Sequence, residues 1–362
     1  MFMSPSLSPP PITGEGPMDR VEAGSHACET MITGLHHVAM AVKALQATAA
    51  YDREVFGGSS YADVIARKRR PFVILNATDM TTGQPFPFMQ DEFDLLCSDL
   101  AGVKLGRAAA SSSAFPGALT PLTFWSYAGS CGYRQPAWVA LAAADHASRV
   151  NPRRTARAEN RLSLAAPGPA RPYLHLSDGG LADNIGLRGP LEGIVSVDHP
   201  WSVLRRMNRK EVSKLVVIVV NAATAPQTAR DTKPDVPGLI DTLTTAATVP
   251  LDNYSFDTVE LLDKTMAEFN SDMRLVEGCN RLSAAKGAAC ALKLPAPHAV
   301  ELYPVQVAFE YIAEREERAA FKNLPTTFSL PRETVDRLRA VGRRLLAEDP
   351  QFQRLLKALR GS

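Results

Sequence analysis

The stretch YLHLSDGGLADNIGLRGPLEGI, residues 173–194, decides how the chain is read. Its first residues alternate like a strand and run into Asp178-Gly179-Gly180, and a second polar turn follows at Asp183-Asn184. A carboxylate at the end of a buried strand is held by rigid scaffold, and the glycines behind it permit tight backbone geometry and close approach of another group. Such an aspartate can act as a general base or orient a nucleophile within hydrogen-bond reach. Taken alone, Asp-Gly-Gly is also a common turn. His175 falls on the face of this strand shared with Ser177 and opposite Asp178, which makes it a core or surface residue rather than a catalytic one.

Outward from this segment, PFVILNATDM (71–80), GIVSVD (193–198) and KLVVIVVNAA (214–223) are compact β-branched runs bounded by turn residues. Strands buried on both faces have this composition, so the expected fold class is α/β, with a mainly parallel central sheet flanked by helices. Helical patterns alternate with these runs near 98–113, 136–148, 257–274 and 333–347. The basic, Ala- and Pro-rich region near 150–170 reads as a surface excursion between elements, and residues 1–30, rich in Pro, Ser and Gly, as a disordered segment. The last segment has an apolar stripe, Leu338, Val341, Leu345 and Leu346. Around it stand Arg337, Arg339, Arg343, Arg344, Arg354, Lys357 and Arg360, either the solvated face of a packed helix or a surface for anionic lipid headgroups.

The bulk properties exclude several classes. With 362 residues, 45% of them hydrophobic, the chain can bury a large core. Forty basic against thirty-eight acidic residues leave a net charge of +2, which calls for no nucleic-acid partner. Cys28, Cys97, Cys131, Cys279 and Cys290 form no CxxC pair and no cluster with His, so neither metal nor cofactor is implied. Cys279 and Cys290 read as free thiols, or as a small disulfide loop if the protein is exported. No apolar run reaches the roughly 20 residues of a transmembrane helix. The opening residues lack the basic and apolar regions of a secretory signal, so the chain as written is expected in the cytoplasm, at most peripheral to a membrane.

Three ordered segments, ILNATDMTTGQPFPF (74–88), GRAAASSSAFPGALTPLTF (106–124) and SDGGLADNIGLRG (177–189), resemble the bacterial patatin-like phospholipase family. NLPTTFSLPRETVDRL (323–338) extends the resemblance, which covers a domain from about residue 50 to 362. It implies a hydrolase of lipid degradation that cleaves acyl esters with a Ser-Asp dyad and needs no cofactor or metal, with lipid acyl esters or a membrane surface as partner. Asp178 matches the family's general base, and Gly179 and Gly180 its motif glycines.

The family's nucleophile stands in GxSxG, after a glycine-rich oxyanion turn. Neither occurs here, so the nucleophile is unassigned. Two relaxed elbows exist: Ala128-Gly129-Ser130-Cys131-Gly132, after the strand-like LTFWSY, and Gly58-Ser59-Ser60-Tyr61-Ala62. Both are also plain turns. The alternative function is a lipid- or protein-binding remnant without catalysis. Asn76, Thr78 and Asp79 read as a hydrogen-bonded strand end, Ser111, Ser112 and Ser113 as close packing, and Arg67-Lys68-Arg69-Arg70 as a solvated loop. A shorter resemblance, of MITGLHHVAMAVKALQATAAYDREVFGG to the opening of vicinal-oxygen-chelate proteins, would make His36 or His37 a metal ligand. The remaining strands of that fold do not follow, and an ordinary strand end is the reading kept.

Overall fold

The computed structural model describes residues 43–68, 71, 73–116, 119–145, 151–166, 171–189, 191, 214–225, 231–232, 234, 236, 238–286, 301–325, 327 and 329–361. The expectations for residues 1–30, His36, His37, Arg69, Arg70, GIVSVD and Cys290 lie outside them. The chain divides into two compact units, Met1–Gly189 with Gly238–Tyr254, and Pro190–Pro237 with Ser255–Ser362.

In the first unit a helical stretch, 43–50, runs into a π-helical turn, Tyr51–Phe56. Then come α1 (Tyr61–Ala66), β1 (Asn76–Asp79), β2 (Pro85–Pro87), α2 (Gln90–Leu95), α3 (Leu105–Ser112), β3 (Leu122–Trp125), α4 (Ala137–Ala144), α5 (Pro152–Leu164), β4 (Tyr173–Asp178) and α6 (Gly180–Asp183). The four strands form one sheet in the order β2-β1-β4-β3, and every pairing is antiparallel. Alternation decides which side is core: Leu122, Phe124, Leu174 and Leu176 are buried with Ala77 and Phe86, whereas Trp125, Tyr173 and His175 face the other way and are exposed. Phe86, Phe88, Phe93 and Phe124 meet in tilted and edge-on pairs with centroids 5.8–6.0 Å apart, the arrangement that ring quadrupoles favour.

The sheet corrects the expectation of a mainly parallel one. The molecule is mixed α/β, with this small antiparallel sheet and one two-stranded parallel pair. Density of β-branched residues fixes neither strand direction nor burial: Ile218 and Val220 of the run 214–223 are exposed. In PFVILNATDM the strand spans Asn76–Asp79, while Val73 and Ile74 are exposed. A tight turn then reverses the chain, with Gly83 at φ +67° and Asp79 N–H donating to the Gln84 carbonyl at 3.0 Å. Pro85 and Pro87 lack an N–H to donate, which suits β2 to the sheet edge.

The reading of 150–170 as a surface excursion is also corrected. Asn151 accepts the Arg154 N–H at 3.1 Å as an N-cap, Pro152 opens the first turn, and α5 packs on α4 through Val139, Ala142 and Ala158. Two of its arginines, Arg154 and Arg161, are buried; Arg161 pairs with Glu92 at 3.3 Å and donates to the Tyr133 hydroxyl at 2.9 Å.

Among the cysteines Cys279 is a half-buried free thiol, as read from the sequence, and Cys290 lies outside the described residues. A disulfide joins Cys97 and Cys131, with Cα atoms 5.4 Å apart. It ties the loop after β3 to the end of α2, where Tyr127 N–H also donates to the Leu96 carbonyl at 2.9 Å.

The second unit pairs β5 (Lys214–Asn221) with β6 (Glu301–Ala308) in parallel register, Lys214 opposite Glu301 through Asn221 opposite Ala308. Between them in sequence lies α7 (Leu239–Lys286), which carries Pro250 and belongs in its first part to the other unit. After β6 come α8 (Arg315–Lys322), α9 (Arg332–Glu348) and α10 (Pro350–Arg360). Val307, Ile312, Phe321, Val341 and Leu345 form a core, with Leu338 and Leu346 packed on it, so the C-terminal stripe is a packing face. Most of its arginines have protein partners. Arg337 lies over the Phe321 ring at 5.3 Å, Arg339 pairs with Asp336, Arg344 pairs with Glu317, and Arg354 covers Tyr303 and donates to the Leu302 carbonyl. Among the described residues no helix is long and apolar enough to cross a membrane.

The Cys97–Cys131 bond closes a loop across 34 residues, and chain-entropy reasoning assigns such a loop about 4 kcal/mol. Cys97→Ser/Cys131→Ser is expected to lower the unfolding free energy by about that amount in urea titrations. Unchanged stability, or free thiols at both positions in the native protein, would contradict the bond.

Candidate functional site around Asp178

Asp178 ends β4 opposite Ala77, and three separate segments hold its backbone. Its N–H donates to the Ala114 carbonyl at 3.0 Å, and the next N–H, of Gly179, donates to the Ser112 carbonyl at 3.1 Å. Its own carbonyl accepts the Thr78 hydroxyl at 2.7 Å, and that hydroxyl accepts the Ala182 N–H at 3.1 Å, pinning α6 behind the motif. Ser177 Oγ donates to the Ala114 carbonyl at 2.9 Å. Thr78 therefore links the strand end to the turn that follows it.

The two glycines are required by space. A Cβ on Gly179 would stand 2.2 Å from the Asn76 carbonyl oxygen, and the φ of −64° shows that crowding, not backbone conformation, excludes a side chain. A Cβ on Gly180 would meet Asp178 Oδ1 and Asn184 Oδ1, each at 2.9 Å. Gly180 uses that proximity to donate its N–H to Asp178 Oδ1 at 2.7 Å.

This leaves a half-buried carboxylate with one oxygen anchored; among the described residues nothing hydrogen-bonds Oδ2. Burial raises its pKa above the ordinary aspartate value, and the Gly180 N–H opposes the rise only in part. A carboxylate with raised proton affinity and an uncommitted oxygen can take a proton from a hydroxyl or a water placed there. Asp183 differs. Burial pushes it up as well, but both its oxygens accept backbone N–H groups, from Leu187 at 3.1 Å and Arg188 at 2.8 Å, so its role is to hold the turn.

Of the other sequence candidates, Asp79 is a buried structural ion. Its side chain is 1% exposed, and it pairs with Arg171 through both oxygens, at 3.0 and 2.8 Å, while also accepting Thr81 N–H and Thr82 Oγ1. Ser111 and Ser113 spend their hydroxyls on the Arg107 and Ala109 carbonyls, and Ser113 also meets the Tyr51 hydroxyl. Ser112 meets the site through its carbonyl. His175 lies on the exposed face beside Thr123 Oγ1, 3.0 Å from its Nδ1. Arg67 and Lys68 are exposed.

Neither relaxed elbow reaches the aspartate. Ser60 caps α1, with its N–H and hydroxyl both donating to Asp63 Oδ2 at 2.7 and 2.8 Å. Ser130 follows β3, whose last residue, Trp125, pairs with Tyr173 at the start of β4. Five residues of strand, about 17 Å, separate that end from Asp178. The disulfide and the Tyr127–Leu96 bond keep the loop there. No serine hydroxyl hydrogen-bonds Asp178 among the described residues, and no group of three or more His, Cys, Asp or Glu could hold a metal ion. Sequence reasoning missed Arg171, which stands 92 residues from Asp79 and carries no local signal.

Two substitutions separate frame from function. Asp79→Ala leaves Arg171 buried without its partner and is expected to cost about 3–5 kcal/mol of stability. Gly179→Ala must push β1 and β4 apart and is expected to cost at least about 2 kcal/mol. Thermal or urea unfolding measures both; a loss below about 0.5 kcal/mol in either would contradict the geometry. Comparison of the chain with protein-family models, with curated proteins and with solved structures gives no match.

Proposed function

We propose that this chain derives from the patatin-like acyl-ester hydrolases and that Asp178 is its general base. One observation carries the reading: the three segments on which the resemblance rests, 74–88, 106–124 and 177–189, converge on a single residue. Asn76 and Thr78 from the first, Ser112 and Ala114 from the second, and Gly179 and Gly180 from the third all contact or bracket Asp178.

In the reaction so proposed, a serine hydroxyl attacks the carbonyl of a lipid acyl ester while Asp178 accepts its proton. Asp178 passes that proton to the departing alkoxide, which leaves as the alcohol; the regenerated carboxylate then takes a proton from the water that attacks the acyl-enzyme and returns it to the serine as the fatty acid is released. The nucleophile remains unassigned, since Ser60 and Ser130 do not meet the aspartate. That same observation favours a second reading, a lipid- or protein-binding relative that keeps the aspartate's frame but does not turn over esters.

Fluorophosphonate labelling of the folded chain, followed by peptide mass spectrometry, separates the two. The hydrolase reading expects one labelled serine, with labelling lost in Asp178→Asn. Because burial raises the carboxyl's pKa, labelling should climb with pH along a limb centred above the ordinary aspartate range of about 3.9. No adduct on folded protein would leave the non-catalytic reading.

Stability provides an independent check. A raised folded-state pKa means that the neutral acid is the better-tolerated form. Its stabilising effect is full below the unfolded value and is lost as pH rises through the folded one. Asp178→Asn keeps an acceptor for the Gly180 N–H and carries no charge. Its melting temperature is therefore expected to exceed that of the wild type by more at pH 7 than at pH 4; the reverse order would contradict the burial of a charged Asp178.

A further inference from the structure

One helix outside the strands and turns that frame Asp178 also reaches it. The first part of α7, residues 239–254, belongs to the first unit together with Met1–Gly189. Its contact falls at the motif itself: a Cβ on Gly180 would stand 3.1 Å from Leu251 Cδ1 and 2.9 Å from Asp178 Oδ1. Leu251 and the carboxylate therefore flank the same point. Three residues on, the Arg188 guanidinium lies over the Tyr254 ring at 4.8 Å, which ties this helix to the end of the segment that carries Asp178.

Leu251 supplies what the rest of the frame does not. Residues 76–78 and 112–114 meet the strand end through carbonyls and the Thr78 hydroxyl, whereas Leu251 brings hydrocarbon to the carboxylate's side. Charged neighbours are committed elsewhere, Asp79 to Arg171 and Asp183 to the Leu187 and Arg188 N–H groups, and burial is the largest cause of the raised proton affinity of Asp178. The cover is also lightly held. Between 238 and 254 no described side chain is fully buried, and Val249, Pro250 and Tyr254 are exposed. Pro250, the residue before Leu251, has no N–H to give to the Ala246 carbonyl. A segment with few buried contacts and an interrupted hydrogen-bond ladder opens at a lower free energy than a sheet does.

We propose that residues 239–254 of α7 form a lid on Asp178, with Leu251 as the side chain that covers the carboxylate. Closed, the lid keeps bulk water from Asp178; open, it admits the hydroxyl or water that gives up its proton. Leu251 is thus a positioning residue, acting through Asp178 rather than on a substrate. The proposal rests on the reading of Asp178 as a proton acceptor and names how access to it is controlled.

Carbon-13 NMR titration of Asp178 in the full chain tests the cover, and amide hydrogen exchange tests the opening. Leu251→Ala is expected to lower the Asp178 midpoint toward the ordinary aspartate value, a loss of proton affinity of about threefold or more. Leu251→Gln, which brings a polar group to the same place, should do the same. Leu251→Met, which keeps an apolar side chain of similar size, should hold the midpoint near that of the wild type. Val249→Ala, at an exposed position of the same helix, should leave it unchanged. Circular dichroism confirms that each variant is folded. In hydrogen exchange followed by mass spectrometry, residues 239–254 are expected to exchange well before Tyr173–Asp178. A wild-type midpoint at or below the ordinary value would remove the base reading and the lid with it. A raised wild-type midpoint that Leu251→Ala and Leu251→Gln leave in place would overturn the lid alone, as would equal protection of residues 239–254 and β4.

Discussion

The backbone of Gly179 passes so near the Asn76 carbonyl that an added Cβ would stand 2.2 Å from it, and much of the first unit's organisation follows from that approach. With β1 and β4 this close, the Thr78 hydroxyl bridges the Asp178 carbonyl and the Ala182 N–H. On the other side of β4, the carbonyls of Ser112 and Ala114 take the backbone donors that β3 no longer reaches. A polypeptide turn that leaves a sheet must satisfy these groups somehow, because an unpaired buried amide costs as much as a lost hydrogen bond. Here they are satisfied by segments that also shield the carboxylate from water. The same packing that closes the strand end therefore raises the proton affinity of Asp178.

Buried charge elsewhere has a different purpose. Asp79 and Arg171 form a forked pair at the β1 turn, and Glu92 and Arg161 join α2 to α5. Burial pushes the Glu92 pKa up while Arg161 and Arg157 oppose it, the balance expected of an ion whose desolvation its partners only partly offset. Such pairs add little net stability against apolar substitutes but penalise any arrangement that separates them. They fix how the helices meet the sheet. Asp178 has no cationic partner among the described residues, and only the Gly180 N–H opposes its desolvation.

Elements whose inward faces are apolar were legible in the sequence. The stripe of Leu338, Val341, Leu345 and Leu346 predicts the helix that packs in the second unit, and the apolar run 136–148 contains α4. By contrast, α5 turns Arg154, Thr155 and Arg161 inward, so its buried face has the composition of a solvated loop; only the Asn151-Pro152 start betrays it. Strand direction was not legible, because β-branched runs are equally dense in either orientation. The Cys97–Cys131 bond is a long-range pairing that spacing does not specify. At the site itself, Asp178, Gly179 and Gly180 stand out by residue type. Their partners at positions 76, 78, 112 and 114 lie roughly 60 to 100 residues away, and no local pattern ties them to the motif.

The account turns on a carboxylate that its frame holds ready to accept a proton. Carbon-13 NMR titration of the aspartate side chains, with the Asp178 signal assigned by its loss in Asp178→Asn, measures that property without requiring a substrate or a known nucleophile. The account predicts a midpoint for Asp178 above the ordinary value of about 3.9. A midpoint at or below that value would mean that the carboxylate is solvated or ion-paired, and would contradict its assignment as the base.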